Sequence, residues 1–485
     1  MILIYLSSGL FLGWSLGAND ASNIFGTAVG TRMVKFRTAA LIASVFVILG
    51  AVLSGSGATR TLGKLGSVNA LGGAFMVALA AGFSVFWMTR LKLPVSTSQA
   101  IVGAIVGWNF FAGMLTDYSS LAKIVFSWVL SPVLAAIFAI LIYLLVKKLL
   151  RLFPISLLRL DVYTRAALII VGAFGAYSLG ANNIANVMGV FVPAAPLDTI
   201  TIFGIKFTSI QQLFFIGSVA IASGIFTYSY KVMQTVGNKV VKLTPLSALV
   251  IVLAESLVLF LFASEGLHDW LIAHNLPALP LVPVSSSQLV VGGVIGIGII
   301  QGGKTIKYRI VGKITSGWVI TPLISAIIAF ISLFFLKNVF EIKVYEPVAY
   351  QFSKPAIKRL SNQNIDKDKL ALNQRFENAL SLKKYIHQTN YLADSSLDEI
   401  VKFTRLDSFY FSAQKLNIFN QEAADWFSTP EIKTINNLQG EEFVHEWRLK
   451  QRLRKILDDS KRKGENYRKL AKKIDFVVET FRTAE

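Results

Sequence analysis

The sequence predicts an all-α integral membrane fold, arranged as an inverted repeat of broken helices, with a mainly helical soluble extension behind it. Three observations predict it. Of 485 residues, 54% are hydrophobic and 16% charged, where a soluble domain carries about 25% charged residues. Apolar runs of bilayer-crossing length, about 20 residues, recur through the first two thirds of the chain. The polar motifs inside those runs occur twice, in the same order.

The charge is unevenly spread. Residues 1–340 hold seven acidic side chains and 22 Lys+Arg, whereas the rest holds 21 and 26. The first part therefore reads as membrane and the second as water-soluble. The predicted divisions are 1–150 for a first transmembrane repeat, 163–340 for a second, and 348–485 for the extension. Most of the excess positive charge sits in short loops between apolar runs, as the positive-inside bias requires. That placement excludes nucleic acid as the partner of the net charge of +20 and makes membrane lipid the surroundings. The absence of Cys removes disulfide scaffolds, thiol catalysis and thiolate metal centres.

Spans are expected near 2–30, 38–59, 68–89, 94–113 and 119–147, and again near 165–191, 207–227, 245–264, 281–301 and 313–337. The first is not a cleaved leader, because no Lys or Arg precedes Arg32 to form a basic n-region. Ser15–Gly26 (SLGANDASNIFG) returns as Ser178–Gly189 (SLGANNIANVMG). Leu93–Gly103 (LPVSTSQAIVG) returns as Val282–Gly292 (VPVSSSQLVVG). Lys123, Trp128, Ser131 and Pro132 return as Lys313, Trp318, Thr321 and Pro322. Each set has an odd number of apolar segments, so the second is inverted in the bilayer. Inverted repeats define many secondary transporters, with the binding site at the repeat interface near mid-membrane. Counting from the basic loops at 147–165, 231–242 and 304–309 puts the N-terminus and the extension outside.

Asn19, Asp20, Ser22 and Asn23 interrupt the first span, and Asn182, Asn183 and Asn186 the sixth. Polar and ionisable groups are costly in hydrocarbon and default to function. Gly and Asn also let a helix unwind and free carbonyls for a cation. In Pro94–Ser98 and Pro283–Ser287 the proline keeps its predecessor out of the helical region, and the hydroxyl run caps a new helix. A helix start offers unpaired N–H groups and a positive dipole end. With three hydroxyls added, each start becomes an anion site. Ser96 with Gln99, and Ser285 with Gln288, also fit a capping box, which by itself explains those four residues.

GANDASN with PVSTSQ, repeated as GANNIAN with PVSSSQ, resembles the inorganic phosphate transporter (PiT) family over roughly residues 5–337. The resemblance implies an inverted-repeat transporter with two hairpins whose tips carry the Ser/Thr motif. It implies secondary transport of phosphate in symport with sodium or a proton, and no other cofactor. Phosphate ligands by that resemblance are Ser96, Thr97, Ser98, Ser285, Ser286 and Ser287, with Asn19, Asp20 and Asn183. The coupling-cation residues are Asp20, Asn23, Asn182, Asn186, Gln234 and Thr235.

The chain departs from the family at five positions. Asn183 stands for an Asp, Gln99 and Gln288 for two His, and Arg60 for a Glu between Thr59 and Thr61. Glu255 lies one turn beyond Val252, where the family has another Glu. Arg60, Gln99, Gln288 and Glu255 are therefore expected to tune the site, Arg60 as a built-in cation where relatives recruit sodium. Retention of Asp20 favours hydrogen phosphate, which can donate a proton to it, over sulfate, which cannot. A transporter of another oxyanion and a non-transporting phosphate sensor are the rival readings. An enzyme is disfavoured, since the span core lacks an acid–base pair and all four His lie outside the repeated motifs. A cell (inner) membrane is the expected location, and a homodimer is left open. Glu441–Phe481 shows helical spacing, and Lys461–Lys463, Lys469, Lys472 and Lys473 form a basic face of no assigned role.

Overall fold

The computed structural model describes residues 2–90, 95–153, 155–195, 197, 199–202, 205–230, 232–233, 244–302, 308–359, 372–389, 400–423, 427–457 and 466–482. Two compact units emerge, Met1–Glu346 and Pro347–Glu485.

The first unit is helical. Its first half contains α1 (Ile2–Gly30), α2 (Phe36–Ser54), α3 (Ser56–Leu65), α4 (Leu71–Arg90), α5 (Thr97–Ala112) and α6 (Tyr118–Leu152). Its second half contains α7 (Leu157–Met188), α8 (Ser209–Thr227), α9 (Pro245–Ala263), α10 (Glu265–Ala273), α11 (Ser286–Ile300) and α12 (Tyr308–Asn338). An antiparallel ribbon, β1 (Ile200–Ile202) with β2 (Ile205–Phe207), links α7 to α8.

Among the described residues, seven helices are long and apolar enough to cross a membrane: α1, α2, α4, α6, α8, α9 and most of α12. Three expected spans do not qualify, each for a physical reason. Helices α5 and α11, of 16 and 15 residues, are too short because each begins at a serine cap inside the unit. Helix α7 has 32 residues but carries Arg159, Asp161, Arg165 and the Asn cluster. The expected span 38–59 is cut at Gly55, where α2 gives way to α3.

The repeats are not side-by-side domains; they exchange partners. Helix α1 packs on α8 and α7 on α2, while α5 packs on α12 and α11 on α6. Small residues permit this. A Cβ added to Gly17 would strike the Ile221 carbonyl, and one added to Gly180 would strike that of Val47. Gly103 lies in the same way against the Pro322 carbonyl, and Gly292 against that of Pro132. Each contact in one half is matched at the equivalent position of the other, so the interface follows an internal two-fold relation. Glycine here lets backbones approach closely, as it does between membrane helices.

The second unit contains β3 (Tyr350–Gln351), α13 (Lys354–Arg359), β4 (Arg375–Phe376), α14 (Ala379–Thr389), β5 (Phe409–Tyr410), α15 (Ala413–Ala423), α16 (Thr429–Asn436), β6 (Glu442–Phe443), α17 (Glu446–Leu457) and α18 (Asn466–Phe481). Phe409, Phe411, Phe419, Leu449, Leu453, Val477 and Phe481 form its own buried core. The expected basic face is reduced there, because Lys473 is bound to Glu431 at 2.6 Å. Lys461–Lys463 lie outside the described residues.

Candidate functional site

Ser96 and Ser285 are the N-caps of α5 and α11, in extended backbone, and their hydroxyls accept from the Gln99 and Gln288 amides at 3.3 and 3.4 Å. The first intrahelical bonds run from Ala100 N to Ser96 O and from Leu289 N to Ser285 O. The amides of Thr97, Ser98, Ser286 and Ser287 precede them, and first-turn N–H groups have no acceptor within a helix. The capping box is half formed. The side-chain oxygens of Gln99 and Gln288 are buried without a partner, and neither residue lines the pocket described below.

The two helix starts meet. Ser98 Oγ donates to the Val284 carbonyl at 3.0 Å, and Ser287 Oγ donates to the Val95 carbonyl at 3.2 Å. These two bonds are repeat-equivalent and tie each tip to the other. One small pocket results, lined by Asp20, Val95, Ser96, Thr97, Ser98, Asn183, Ser285, Ser286 and Ser287. All but Ser287 of the expected hydroxyl ligands are buried.

The Asn clusters of α1 and α7 brace this pocket. Asn23 donates to Ser286 Oγ at 3.0 Å and Asn186 donates to Ser98 Oγ at 2.9 Å. Asn182 clamps the Val284 peptide from both sides, donating to its carbonyl at 2.8 Å and accepting from its N–H at 3.0 Å. Asn19 donates to Asp20 Oδ1 at 2.9 Å, and the equivalent Asn182 donates to Asn183 Oδ1 at 3.1 Å. Asn186 donates to that same Asn183 oxygen at 3.1 Å. Asn183 Nδ2, in contrast, is buried without a partner among the described residues. The pocket therefore presents one acid acceptor, one free amide donor and two helix starts. A hard cation would find an oxygen in Asn186 Oδ1, also buried and unpartnered.

Of the remaining expected residues, Gln234 and Thr235 lie outside the described residues. Arg60 does not line the pocket. Its side chain is 59% exposed and bridges to Glu265 at 3.3 Å, so its charge is already matched at a wet position. Glu255 is buried on α9, apart from the pocket lining. Sequence reasoning missed Val95 and Val284, whose carbonyls receive the tip hydroxyls. An apolar letter gives no signal for a backbone acceptor.

His445 lies buried in the second unit. Its ring nitrogens meet Ser353 Oγ at 2.8 Å and the Arg405 carbonyl at 2.7 Å. Burial pushes its imidazole below the usual histidine range.

Comparison with known proteins identifies the family. The model of the phosphate transporter family matches residues 16–268 and 271–445. The match thus runs beyond 337 and into the second unit. A protein named as a phosphate permease in Pyrococcus furiosus is 28% identical over 414 residues, covering 68% of this chain and 94% of that one. The chloroplastic inorganic phosphate transporter 2-1 of Arabidopsis thaliana is 24% identical over 425 residues, covering 67% and 70%. A solved structure described as the sodium-dependent phosphate transporter superposes with a TM-score of 0.55 at 23% identity, covering 70% of this chain and 99% of that one.

Fold and matches together define a multi-pass integral membrane transporter, not an enzyme. The chain belongs to the phosphate transporter family.

Proposed function

We propose that the chain carries inorganic phosphate across the membrane in symport with a cation, by alternating access around the pocket between the two serine-capped helix starts. One observation carries this reading: Asp20 and Asn183 line the same pocket with opposite hydrogen-bonding capacity. Hydrogen phosphate has an O–H to donate to Asp20 and oxygens to accept from Asn183, the tip hydroxyls and the first-turn amides. Sulfate lacks the donor and leaves the Asp20 carboxylate facing a dianion.

The coupling cation sits beside the anion, among Asp20, Asn23, Asn182 and Asn186. It offsets the anion's charge and lowers the desolvation cost of carrying it through a low-dielectric interior. The partner exchange between repeats supports alternating access, because each tip helix rests on the closing helix of the opposite repeat.

The test is labelled-phosphate counterflow by the purified full chain in proteoliposomes, with sulfate and arsenate as competitors. Competition by arsenate and not by sulfate is the expected result. Equal competition by sulfate overturns the substrate assignment, and binding without flux overturns transport.

A further inference from the structure

We propose that Glu255 is a proton-carrying site of the transport unit; the inference rests on the transport reading above.

Glu255 lies in the middle of α9 and is 0% exposed, and among the described residues both its carboxyl oxygens lack a hydrogen-bond partner. A buried carboxylate with no counter-charge is strongly disfavoured, and a proton removes the charge with no further ligand. Helix α9 packs against α1, α3, α6, α7 and α11, and the groups these supply are few. Helix α1 supplies the Asp20 carboxyl, which lines the pocket. From α6, Tyr143 packs on the small cluster that includes Ala254. Helix α7 turns Gly175 toward Ser256, while its Tyr177 is bonded to Ser54 at 2.7 Å and its Arg165 to Asp161 at 2.7 Å. Helix α11 has no titratable side chain, and α3 carries Arg60, bound to Glu265, and Lys64 in its last turn.

The internal two-fold relation shows that architecture does not require this carboxyl. Phe11 with Phe86 and Phe174 with Phe260 are equivalent ring pairs, inclined at 57° and 56°. They align Phe86 with Phe260, and hence Ala81 with Glu255. Ala81 is equally buried. One repeat fills the position with a methyl group and the other with an acid. The acid is therefore a feature of one repeat only, as Asp20 is of the other, where Asn183 is its counterpart. Asp20 lines the pocket, and Glu255 is buried on α9 apart from that lining.

The test uses the full-length protein in sodium-free proteoliposomes and compares wild type with Glu255→Gln, which fixes the neutral form. Exchange of labelled phosphate at equal concentrations needs no net proton movement and is expected to stay within about twofold of wild type. Accumulation driven by an inside-alkaline pH gradient needs proton release and is expected to fall about tenfold or more. Unchanged gradient-driven accumulation in Glu255→Gln overturns the proposal, as does wild-type accumulation that does not respond to the pH gradient. Should the variant lose exchange as well, the infrared C=O stretch of a protonated carboxyl decides. Its presence in wild type at neutral pH and loss in Glu255→Gln supports the site, and its absence from wild type overturns it. A wild type that exchanges no phosphate refutes the transport reading itself, while the infrared band still tests Glu255 on its own.

Discussion

Asp20 and Asn183 occupy equivalent positions in the two repeats and line one pocket, the first offering an acceptor and the second an unpartnered amide donor. The two repeats therefore differ chemically at this point of the pocket.

Replacing Asn183 by Asp removes the donor and adds a negative charge. Asn183→Asp is expected to raise the apparent KM for phosphate about tenfold or more, roughly 1.4 kcal/mol, at low sodium, with recovery as sodium rises. Uptake kinetics over a sodium series check this. An unchanged KM at low sodium shows that Asn183 does not face the anion.

Asn182→Ala unclips Val284 and leaves a buried N–H and C=O without that partner, each costing about 1–3 kcal/mol. Lower thermal stability in detergent and loss of uptake are both expected. Ser286→Ala should keep the fold and raise KM, since it loses a pocket donor and its bond from Asn23. Normal uptake by Ser286→Ala contradicts the placement of the anion.

Arg60→Ala should leave the phosphate KM unchanged and cost about 0–1 kcal/mol of stability, as an exposed ion pair does. A tenfold rise in KM would restore Arg60 as a fixed cation of the site.

Gly103→Ala and Gly292→Ala place a methyl group on the carbonyls of Pro322 and Pro132. Both should separate a tip helix from its partner and lower the melting temperature to a similar degree, the two positions being equivalent. A neutral result at either shows that the backbones can separate without cost.

His445 is held neutral by burial, with its folded pKa below the ordinary 6.5. The sign follows: the unfolded chain binds the proton more readily, so stability is lost as pH falls below about 6.5. Amide protection factors at residues 400–405 and 445–449, corrected for the intrinsic pH dependence of exchange, should fall on acidification, and His445→Gln should lessen that change.

The amino-acid sequence by itself determined the membrane class, the duplication, and which residues are polar where polarity is costly. Hydrophobic length and repeated motifs are local properties, and they place Ser96–Ser98, Ser285–Ser287, Asp20 and Asn183 in order along the chain without any fold. Tertiary structure alone decided who meets whom. Ser98 bonds to the Val284 peptide and Asn182 clamps it because the repeats exchange helices, a relation between residues about one to two hundred positions apart. It also placed Arg60 at an exposed ion pair and Glu255 in a sealed position, since a charged letter has the same hydropathy whether its helix turns it outward or inward.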